Sequence, residues 1–543
     1  MPNEMTIIQS DELVQKITQA KDELGFTLLL DITAVDNLNK QPKSSTRFEL
    51  IYILRHKDFQ SLKMFKVPVA NEKIGVATLC NLFTSANWAE REVYDQYGIH
   101  FEGHKTLKRV LNHNEFKGHP LRKDYTITKG QYCTTSQDLM DEMRPLLDDR
   151  NLDMNRDDLM IVNLGPSHPA SHGTIRTLAA LDGEKIVAAA SEVGYLHRGF
   201  EKSCENHNYN QIIPYTDRLN YCSAIMNNIA FAKTVEEMMD ITLPQRGIYI
   251  RIIVAELSRV IDHLVCLAAG LLDMGGQTNY WYLYNPRDNA YDFLSKLTGA
   301  RLTNSYMRIG GMTHDFYDGW EKDLADVLAK IDYGITESLK MITHNRIYND
   351  RIQNVSPVSA AQAIDYGFTG PNLRASGVPY DLRFAKPYYG YDTFDFDMVI
   401  GSVGDTYDRM MVRFDEMNES LKIIRQAVKR IPDGAVSVED KRITMPTKSC
   451  VYGGIEGMMN QFKLVVDGVK VPAGEHYGAF EAANGELGFY IVSDGSGTPY
   501  KVKVRPPSFY HMSAYPRIIE NYQVADAIMT LGSLNIIAGE MDR

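Results

Sequence analysis

The sequence predicts an α+β protein, with a small N-terminal α+β domain, a linker, and a large, mainly helical domain that has β elements near both ends. Three observations support this prediction. Strand-like runs fill the first part of the chain, long helical periodicities dominate the middle, and alternating apolar residues return near the carboxyl end. A chain of 543 residues is also too long for one hydrophobic core.

Residues 1–125 are expected to form the first domain. Residues 27–33 and 47–54 are rich in β-branched and apolar side chains, and they predict two strands separated by a polar turn region. The run WAEREVYDQYGI at 88–99 predicts an amphipathic helix that stops at Gly98. A polar, extended segment, GHPLRKDY at 118–125, ends the domain.

A linker is expected next, because residues 126–157 become polar and charged, with one short helix over 138–147. The second domain then covers residues 158–543. It is expected to open with a strand at 160–164 and a hairpin-like stretch at 175–193 that turns at Asp182 and Gly183.

Helices and strands of the second domain follow from the spacing of apolar residues. The spacing predicts helices over the ranges 223–241, 248–274, 287–298, 320–345, 406–430 and 524–531. Turn signals at 467–468, 483–485 and 494–495 divide residues 461–504 into predicted strands.

Charge and cysteine usage exclude several classes of protein. The net charge of −11 argues against a general nucleic-acid binder, which needs a basic face to displace condensed counterions. The first residues show no signal peptide pattern, and the apolar runs are shorter than the roughly 18–20 residues of a membrane-spanning helix. Six cysteines without a CxxC pair predict neither a disulfide framework nor a metal cage, and they fit a reducing cytoplasm.

The loop GPSHPASHG at 165–173 is a candidate site, because prolines and glycines exclude a helix while two histidines bring side chains that titrate near neutrality. A histidine-bearing surface turn is the alternative. Tyr221, in PYTDRLNY at 214–221, is a second candidate, or else an ordinary buried tyrosine. Asp273 ends a long apolar stretch, where a carboxylate opposes the helix dipole unless another group stabilises it.

Four histidines of the first domain, at positions 100, 104, 113 and 119, invite a metal site. Their spacing does not reproduce a structural zinc pattern, and no cysteine accompanies them in the sequence. We therefore expect this chain to hold no metal ion.

Specific phrases connect both domains to one family. EREVYD and GHPLRKDY make residues 27–125 resemble the C-type subunit of respiratory complex I, and residues 158–543 resemble its D-type subunit. The D-type motifs are GPSHPASHG at 165–173, LHRGFE at 196–201, PYTDRLNY at 214–221, LLDMGG at 271–276, NRIYNDR at 345–351, LRASG at 373–377, DLR at 381–383, GDTYDR at 404–409 and SDGSGTPY at 493–500. The resemblance implies a fusion of the C-type and D-type subunits of an NADH:quinone oxidoreductase, in which the C-type part serves assembly.

The D-type subunit is itself similar to the large subunit of nickel–iron hydrogenases, which binds its metal through two CxxC pairs. Here the phrase RGFE at 198–201 is present, but the chain has only Cys222 near the first pair and ends GEMDR in place of the second. A nickel site needs four converging soft ligands. A hydrogenase-like metalloenzyme is therefore disfavoured, and the resemblance implies an emptied cavity.

The resemblance implies that quinone occupies this cavity. His172 and Tyr221 match the pair taken to bind and protonate the quinone carbonyls, with Asp273 behind the histidine. A phenol and an imidazole can each donate a hydrogen bond to one carbonyl and then release a proton. A carboxylate beside the imidazole would fix its tautomer and keep a proton available near neutrality. His168 is expected to be structural.

Electrons must come from a partner, because scattered cysteines cannot hold an iron–sulfur cluster or replace its four thiolates. The resemblance implies that this partner is the B-type subunit of complex I, with Arg198 near its cluster. Other peripheral-arm iron–sulfur subunits and membrane-arm subunits are further implied partners. The resemblance places the protein peripherally on the cytoplasmic face of a bacterial inner membrane.

The electron donor stays open between NADH, ferredoxin and others. No GxGxxG phrase follows a strand, so nothing here indicates NADH or flavin binding. A scaffold that has lost the quinone site is the alternative function, and an ion pair with Glu201 or Glu205 is the alternative role of Arg198.

Thr303 departs from the pattern of many ubiquinone-reducing relatives, which have a histidine two positions after the Gly-Ala-Arg phrase. A threonine cannot gain a proton, so one charge that would raise the cluster potential is absent. We therefore expect a lower-potential quinone, menaquinone.

Overall fold

The computed structural model describes residues 4–40, 45–71, 75–133, 138–148, 152 and 159–543. Its secondary structure confirms the α+β class, since a small sheet-bearing part precedes a larger, mainly helical part. Much of the predicted linker, at 134–137, 149–151 and 153–158, lies outside the described residues.

The first sheet is built from β1 (Glu4–Ile7), β2 (Leu28–Asp36), β3 (Phe48–Arg55) and β4 (Leu62–Val69), with α1 (Leu13–Asp22) following β1. The order across the sheet is β1, β4, β3, β2, and only the β1–β4 pair is parallel. The predicted strands at 27–33 and 47–54 are confirmed as β2 and β3. Their apolar runs are buried on both faces, which explains why they lack strict alternation.

Helix α2 (Ala86–Tyr97), which lies between the short strands β5 (Val76–Ala77) and β6 (Phe101–Glu102), confirms the predicted helix. It stops at Gly98, whose φ of 74° suits a residue without a side chain. The expectation of an amphipathic helix is wrong, because ten of its twelve residues are buried, including the charged residues at 90, 91, 92 and 95. These charges face partners elsewhere in the chain rather than water.

A second sheet opens the helical part. The short helix α3 (Met140–Asp148) precedes β7 (Leu159–Leu164), β8 (Arg176–Asp182) and β9 (Lys185–Glu192). The three strands form an antiparallel meander, in which the β8–β9 hairpin turns at the predicted residues. The predicted short helix, strand and hairpin are thus confirmed.

The helical body is organised around α7, a 29-residue helix that packs against its neighbours α6, α8 and α14. The elements in this part are α4 (Phe200–Cys204), α5 (Tyr209–Thr216), α6 (Ala224–Met238), α7 (Gln245–Asp273), α8 (Gln277–Thr298), β10 (Met307–Arg308), β11 (Gly311–Met312), α9 (Trp320–Ile342), α10 (Arg346–Ile352), α11 (Ala360–Asp365), α12 (Gly370–Ala375), α13 (Leu382–Ala385) and α14 (Thr406–Arg430). The long predicted helices are confirmed. Helix α8 starts ten residues before the predicted position and contains Pro286 inside it.

The carboxyl-terminal part contains α15 (Lys448–Gly453), α16 (Ile455–Val466), β12 (Gly474–Ala482), β13 (Gly485–Ser493), β14 (Lys501–Arg505), α17 (Pro507–Ile518), α18 (Val524–Leu534) and α19 (Ala538–Asp542). The predicted strands are confirmed from residue 474 onward, and the final helix is confirmed as α18. The strand expected from residue 461 is wrong, because 461–466 belong to α16. Its apolar residues recur every three or four positions, which is the helical period.

One hydrophobic cluster joins the two parts of the chain, with members between Ile8 and Leu121 and again between Ile175 and Met541. Buried ion pairs cross the same contact, such as Arg55 Nη2 to Glu486 Oε1 at 2.6 Å. This buried contact packs the two parts of the chain against each other and marks no boundary between them. The domain boundaries at 125 and 158 therefore stay a prediction.

Candidate functional site

His172 lies in the loop after β7, directly behind a 3-10 turn formed by Pro169–Ser171. The side chain of Ser171 closes this loop, since its Oγ donates to the carbonyl oxygens of His168 at 2.7 Å and Gly173 at 2.5 Å. His172 has a φ of 51°, an uncommon backbone conformation for a residue with a side chain. The loop thus holds one imidazole in a defined place, while His168 is exposed and contributes its carbonyl to the turn.

The imidazole of His172 meets Asp273, the last residue of α7. Nε2 of His172 lies 2.5 Å from Oδ2 of Asp273, and the two side chains are 19% and 22% exposed. The carboxylate opposes the dipole of α7, and its hydrogen bond with the imidazole compensates for that. The structure therefore brings together two of the predicted site residues that are 101 positions apart in the chain.

Tyr221 begins a second 3-10 turn, Tyr221–Ser223, capped by the side chain of Asn220. Within the described residues its hydroxyl has no hydrogen-bond partner and no direct contact with His172. Burial, followed by the neighbouring Cys222 and Asp262, raises the pKa of Tyr221 to about 12. The phenol therefore keeps its proton at neutral pH and can donate it to a ligand.

Two glycines of the C-terminal segment lie close to these side chains. A Cβ added at Gly532 in α18 would lie 3.5 Å from His172 Nε2 and 3.8 Å from Asp273 Oδ2. A Cβ added at Gly539 in α19 would lie 3.6 Å from Cδ1 of Tyr221. The sequence motifs assigned the end of the chain no role, although the resemblance to hydrogenases, whose second CxxC pair is C-terminal, was a usable signal.

Arg198 lies apart from His172, on the segment before α4. Its Nη2 donates to the carbonyl oxygen of Tyr215 at 2.8 Å, and its backbone N–H donates to the carbonyl of Arg543 at 3.3 Å. Desolvation and the like charge of Arg218 lower its pKa. Among the described residues no carboxylate pairs with this guanidinium.

The alternative ion pairs that the sequence suggested for Arg198 are absent from the described residues, because both acids have other partners. Glu201 Oε2 accepts a hydrogen bond from Lys501 at 2.7 Å, and Glu205 Oε2 accepts one from Lys123 at 2.9 Å. Within the described residues the guanidinium of Arg198 instead lies over the ring of Phe200, 5.9 Å from its centroid.

Among the described residues, no group of three or more metal-ligating side chains includes His172. Cys222 and Cys266 are buried and lie near Tyr221 and Gly532, and burial raises the pKa of the Cys222 thiol well above its usual range. Two neutral thiols do not supply the four thiolates of a nickel site. The disfavoured hydrogenase-like activity gains no support from this geometry.

Two trios in the N-terminal part correct the expectation that no cysteine accompanies the histidines. Cys80, Glu90 and His104 lie together, and so do His113, Glu115 and Cys133, with ligand atoms within 4.8 Å of one another. Sequence spacing could not show this, because the residues of each trio come from separate segments.

The first trio is engaged in protein hydrogen bonds. Glu90 accepts from Leu79 N at 2.7 Å and from Thr78 Oγ1 at 2.6 Å, and both ring nitrogens of His104 contact backbone groups. Burial raises the pKa of Glu90 to about 7 and that of the Cys80 thiol to about 12. The hydrogen bonds that Glu90 and His104 already make suit a structural role better than a metal site.

Comparisons with known proteins identify the family. Residues 273–543 match the family of the respiratory-chain NADH dehydrogenase 49 Kd subunit, and residues 6–131 match that of the 30 Kd subunit. The fused C/D-type NADH-quinone oxidoreductase subunit of Bdellovibrio bacteriovorus is 47% identical over 519 residues, which cover 95% of this chain and 91% of that protein. The chain belongs to this family of fused C/D-type subunits.

Relatives that consist of the D-type subunit alone match the second part of the chain. The D-type NADH-quinone oxidoreductase subunits of Pelobacter propionicus and Myxococcus xanthus are each 50% identical and each cover 71% of this chain, with 95% and 92% of their own lengths aligned. The predicted fusion of C-type and D-type subunits is thus confirmed. The protein is a peripheral subunit of complex I, a quinone oxidoreductase that it forms with other subunits.

In the described parts of the chain, no helix combines the length and apolar composition that crossing a membrane requires.

Proposed function

We propose that this chain forms one wall of a quinone cavity in complex I and supports electron transfer to the quinone from an iron–sulfur cluster of the B-type subunit. The observation that supports this proposal best is the pairing of His172 with Asp273, together with a tyrosine whose hydroxyl has no described partner and which contacts the same C-terminal segment. Two proton donors at separate points suit a ligand with two carbonyls. Glycines 532 and 539 of the C-terminal segment lie beside the two donors, one next to each.

The proposed chemistry uses the protons of these residues. Quinone takes up two electrons from the partner cluster and two protons, and becomes a quinol. Because Nε2 of His172 faces Asp273, Nδ1 is the ring nitrogen left to deliver a proton to one carbonyl. The hydroxyl of Tyr221 donates to the other carbonyl. Both donors are then reprotonated from solvent.

Arg198 supports the proposed position of the cluster. A cationic side chain without a carboxylate partner among the described residues is suited to face an anionic iron–sulfur cluster, whose reduced form it stabilises. The other proposed partners are further peripheral-arm iron–sulfur subunits and the membrane-arm subunits that translocate protons. The proposed location is the cytoplasmic face of a bacterial inner membrane. The proposed electron donor of the whole complex is NADH.

Replacing Tyr221 by phenylalanine tests the proposal in the assembled complex. We expect quinone reduction to fall by at least about tenfold, because general acid catalysis contributes at least that much, while electron transfer from NADH to ferricyanide is retained. Tyr209→Phe, at another buried tyrosine of the same part, is the matched control and should keep quinone reduction. Full quinone reduction in Tyr221→Phe would instead favour the scaffold alternative.

The quinone is proposed to be menaquinone. Thr303 brings no titratable charge, and the neighbouring Arg301 is already paired with Asp292 at 2.5 Å, so neither residue adds a free positive charge near the cluster. A low cluster potential suits a low-potential quinone. Extraction of the quinones of the source membrane is expected to yield menaquinone, and ubiquinone as the sole quinone would contradict the proposal.

A further inference from the structure

Asp262, in the middle of α7, is a buried carboxylate that the mechanism above does not use. Its side chain is 1% exposed. Oδ2 accepts a hydrogen bond from Nδ2 of Asn220 at 2.7 Å, and Oδ1 accepts one from Nδ2 of Asn535, also at 2.7 Å. Among the described residues no cation pairs with it. A buried charge held only by neutral amides is costly, so this arrangement needs a reason.

One of the two amides holds the turn that carries Tyr221. Oδ1 of Asn220 accepts the N–H of Cys222 at 3.1 Å, and its backbone carbonyl accepts Nδ2 of Asn227 at 2.9 Å. The cap fixes the orientation of the Asn220 amide, because a flipped amide would turn its NH₂ group toward the N–H of Cys222. The NH₂ group must therefore point at Asp262.

The other amide ends the helix that lines His172. Asn535 is the C-cap of α18, with a φ of 54°, and its N–H donates to the carbonyl of Gly532 at 3.2 Å. Its Nδ2 also donates to Oδ1 of Asn484 at 2.6 Å. This second bond directs the NH₂ group toward Asp262 as well.

We propose that Asp262 is a positioning residue that fixes the Tyr221 turn relative to the helix end beside His172 and Asp273, and so sets the spacing of the two quinone ligands. This inference rests on the proposed function. Only a side chain with two acceptor oxygens satisfies both amides as they are oriented, which explains why a carboxylate and not an amide stands here. The charge has a second effect, because Asp262 contributes to the raised pKa of Tyr221 and so favours the protonated phenol.

Asp262→Asn in the assembled complex tests the inference. The new amide offers one acceptor oxygen to the two donors, Asn220 and Asn535. Either the Tyr221 turn or the end of α18 therefore loses its hydrogen bond to position 262. We expect the kcat of quinone reduction to fall by about tenfold or more, since small displacements of catalytic groups cost that much, with a smaller change in KM. Electron transfer from NADH to ferricyanide should be retained. The alkaline limb of the kcat profile should move to lower pH, because one of the contributions that raise the pKa of Tyr221 is gone.

The reciprocal pair Asn220→Asp with Asp262→Asn provides the rescue. The new carboxylate at position 220 can still accept the N–H of Cys222 with one oxygen, and the other can accept the amide at position 262. The side-chain oxygen of that amide can still accept the hydrogen bond from Nδ2 of Asn535. We expect the pair to recover kcat to within about threefold of the unaltered complex, by the logic of a double-mutant cycle.

Glu256→Gln is the matched control, because Glu256 is equally buried on α7 but binds Arg259, Tyr391 and Ser420 away from the site. Per assembled complex it should leave kcat unchanged. Asp262→Asn with unchanged kcat and pH profile, or a reciprocal pair no more active than the single variant, would overturn the inference. If the Asp262→Asn complex does not assemble, the kcat of Asn220→Asp is compared with that of the reciprocal pair instead. A pair no more active than Asn220→Asp would overturn the inference.

Failure of the inference is distinguishable from failure of the proposed function. A loss in Tyr221→Phe without a loss in Asp262→Asn would remove only the positioning role. Unchanged quinone reduction in Tyr221→Phe would contradict the proposed function itself, whatever Asp262→Asn does.

Discussion

Gly539→Ala is expected to lower quinone reduction by at least about tenfold while the complex still assembles, since displaced catalytic groups cost activity steeply. The added Cβ would lie 2.6 Å from the carbonyl oxygen of Arg218 and 2.9 Å from that of Leu219. Both contacts are backbone atoms directly before Tyr221, so the chain carrying the phenol must move. The measurement is the rate of quinone reduction per assembled complex, with NADH-to-ferricyanide activity as the measure of intact upstream electron transfer.

Gly532→Ala is the matched control for this prediction. Its added Cβ would meet His172 Nε2 at 3.5 Å, an ordinary van der Waals contact with a side chain. We expect quinone reduction to stay within about twofold, because such a contact requires no backbone shift. Equal activities in the two alanine variants would show that the C-terminal segment does not set the position of Tyr221.

Glu92→Ala is expected to destabilise the contact between the two parts of the chain by about 3–5 kcal/mol, the range for breaking a buried ion pair. Glu92 is 4% exposed, accepts a hydrogen bond from Lys503 Nζ at 2.5 Å and contacts Arg543. Its removal leaves two buried cations with reduced compensation. The measurement is the free energy of unfolding of the purified chain in denaturant.

Glu337→Ala is the control for this ion pair, because Glu337 contacts Lys340 on the surface, where the lysine side chain is 65% exposed. An exposed pair contributes at most about 1 kcal/mol, so the change in unfolding free energy should be small. Similar losses in the two variants would contradict the assignment of Glu92 as a buried link between the two parts.

Local patterns predicted the regular elements well where one period dominated. The helices α7 and α14 and the hairpin β8–β9 follow from apolar spacing and turn residues that act over a few positions. Prediction failed where the outcome depended on distant partners. Charged residues of α2 looked solvent-exposed, yet Glu92 among them is buried because its partners Lys503 and Arg543 come from the far end of the chain.

The candidate site shows the same division. His172, Tyr221, Asp273 and Arg198 could be named from motifs, because their residue types and neighbours indicate their chemistry. Asp262, Gly532 and Gly539 could not be named, since an aspartate within an apolar helix and glycines near a terminus have no local pattern of their own. The role proposed for Asp262 depends on contacts with residues that are 42 and 273 positions away in the chain.

The sequence by itself determined the fold class, the fused C/D arrangement and the residue types that can donate protons to a quinone. The fold class depends on short-range periodicity, whereas the fused arrangement and the choice of these residues follow from motifs that the chain shares with the family. Only the tertiary structure decided which groups meet. It placed Asp273 against His172, left Arg198 without a described acidic partner, and brought the C-terminal segment next to both the imidazole and the phenol. Such contacts are set by the packing of α7 and α18, whose positions no short stretch of sequence specifies.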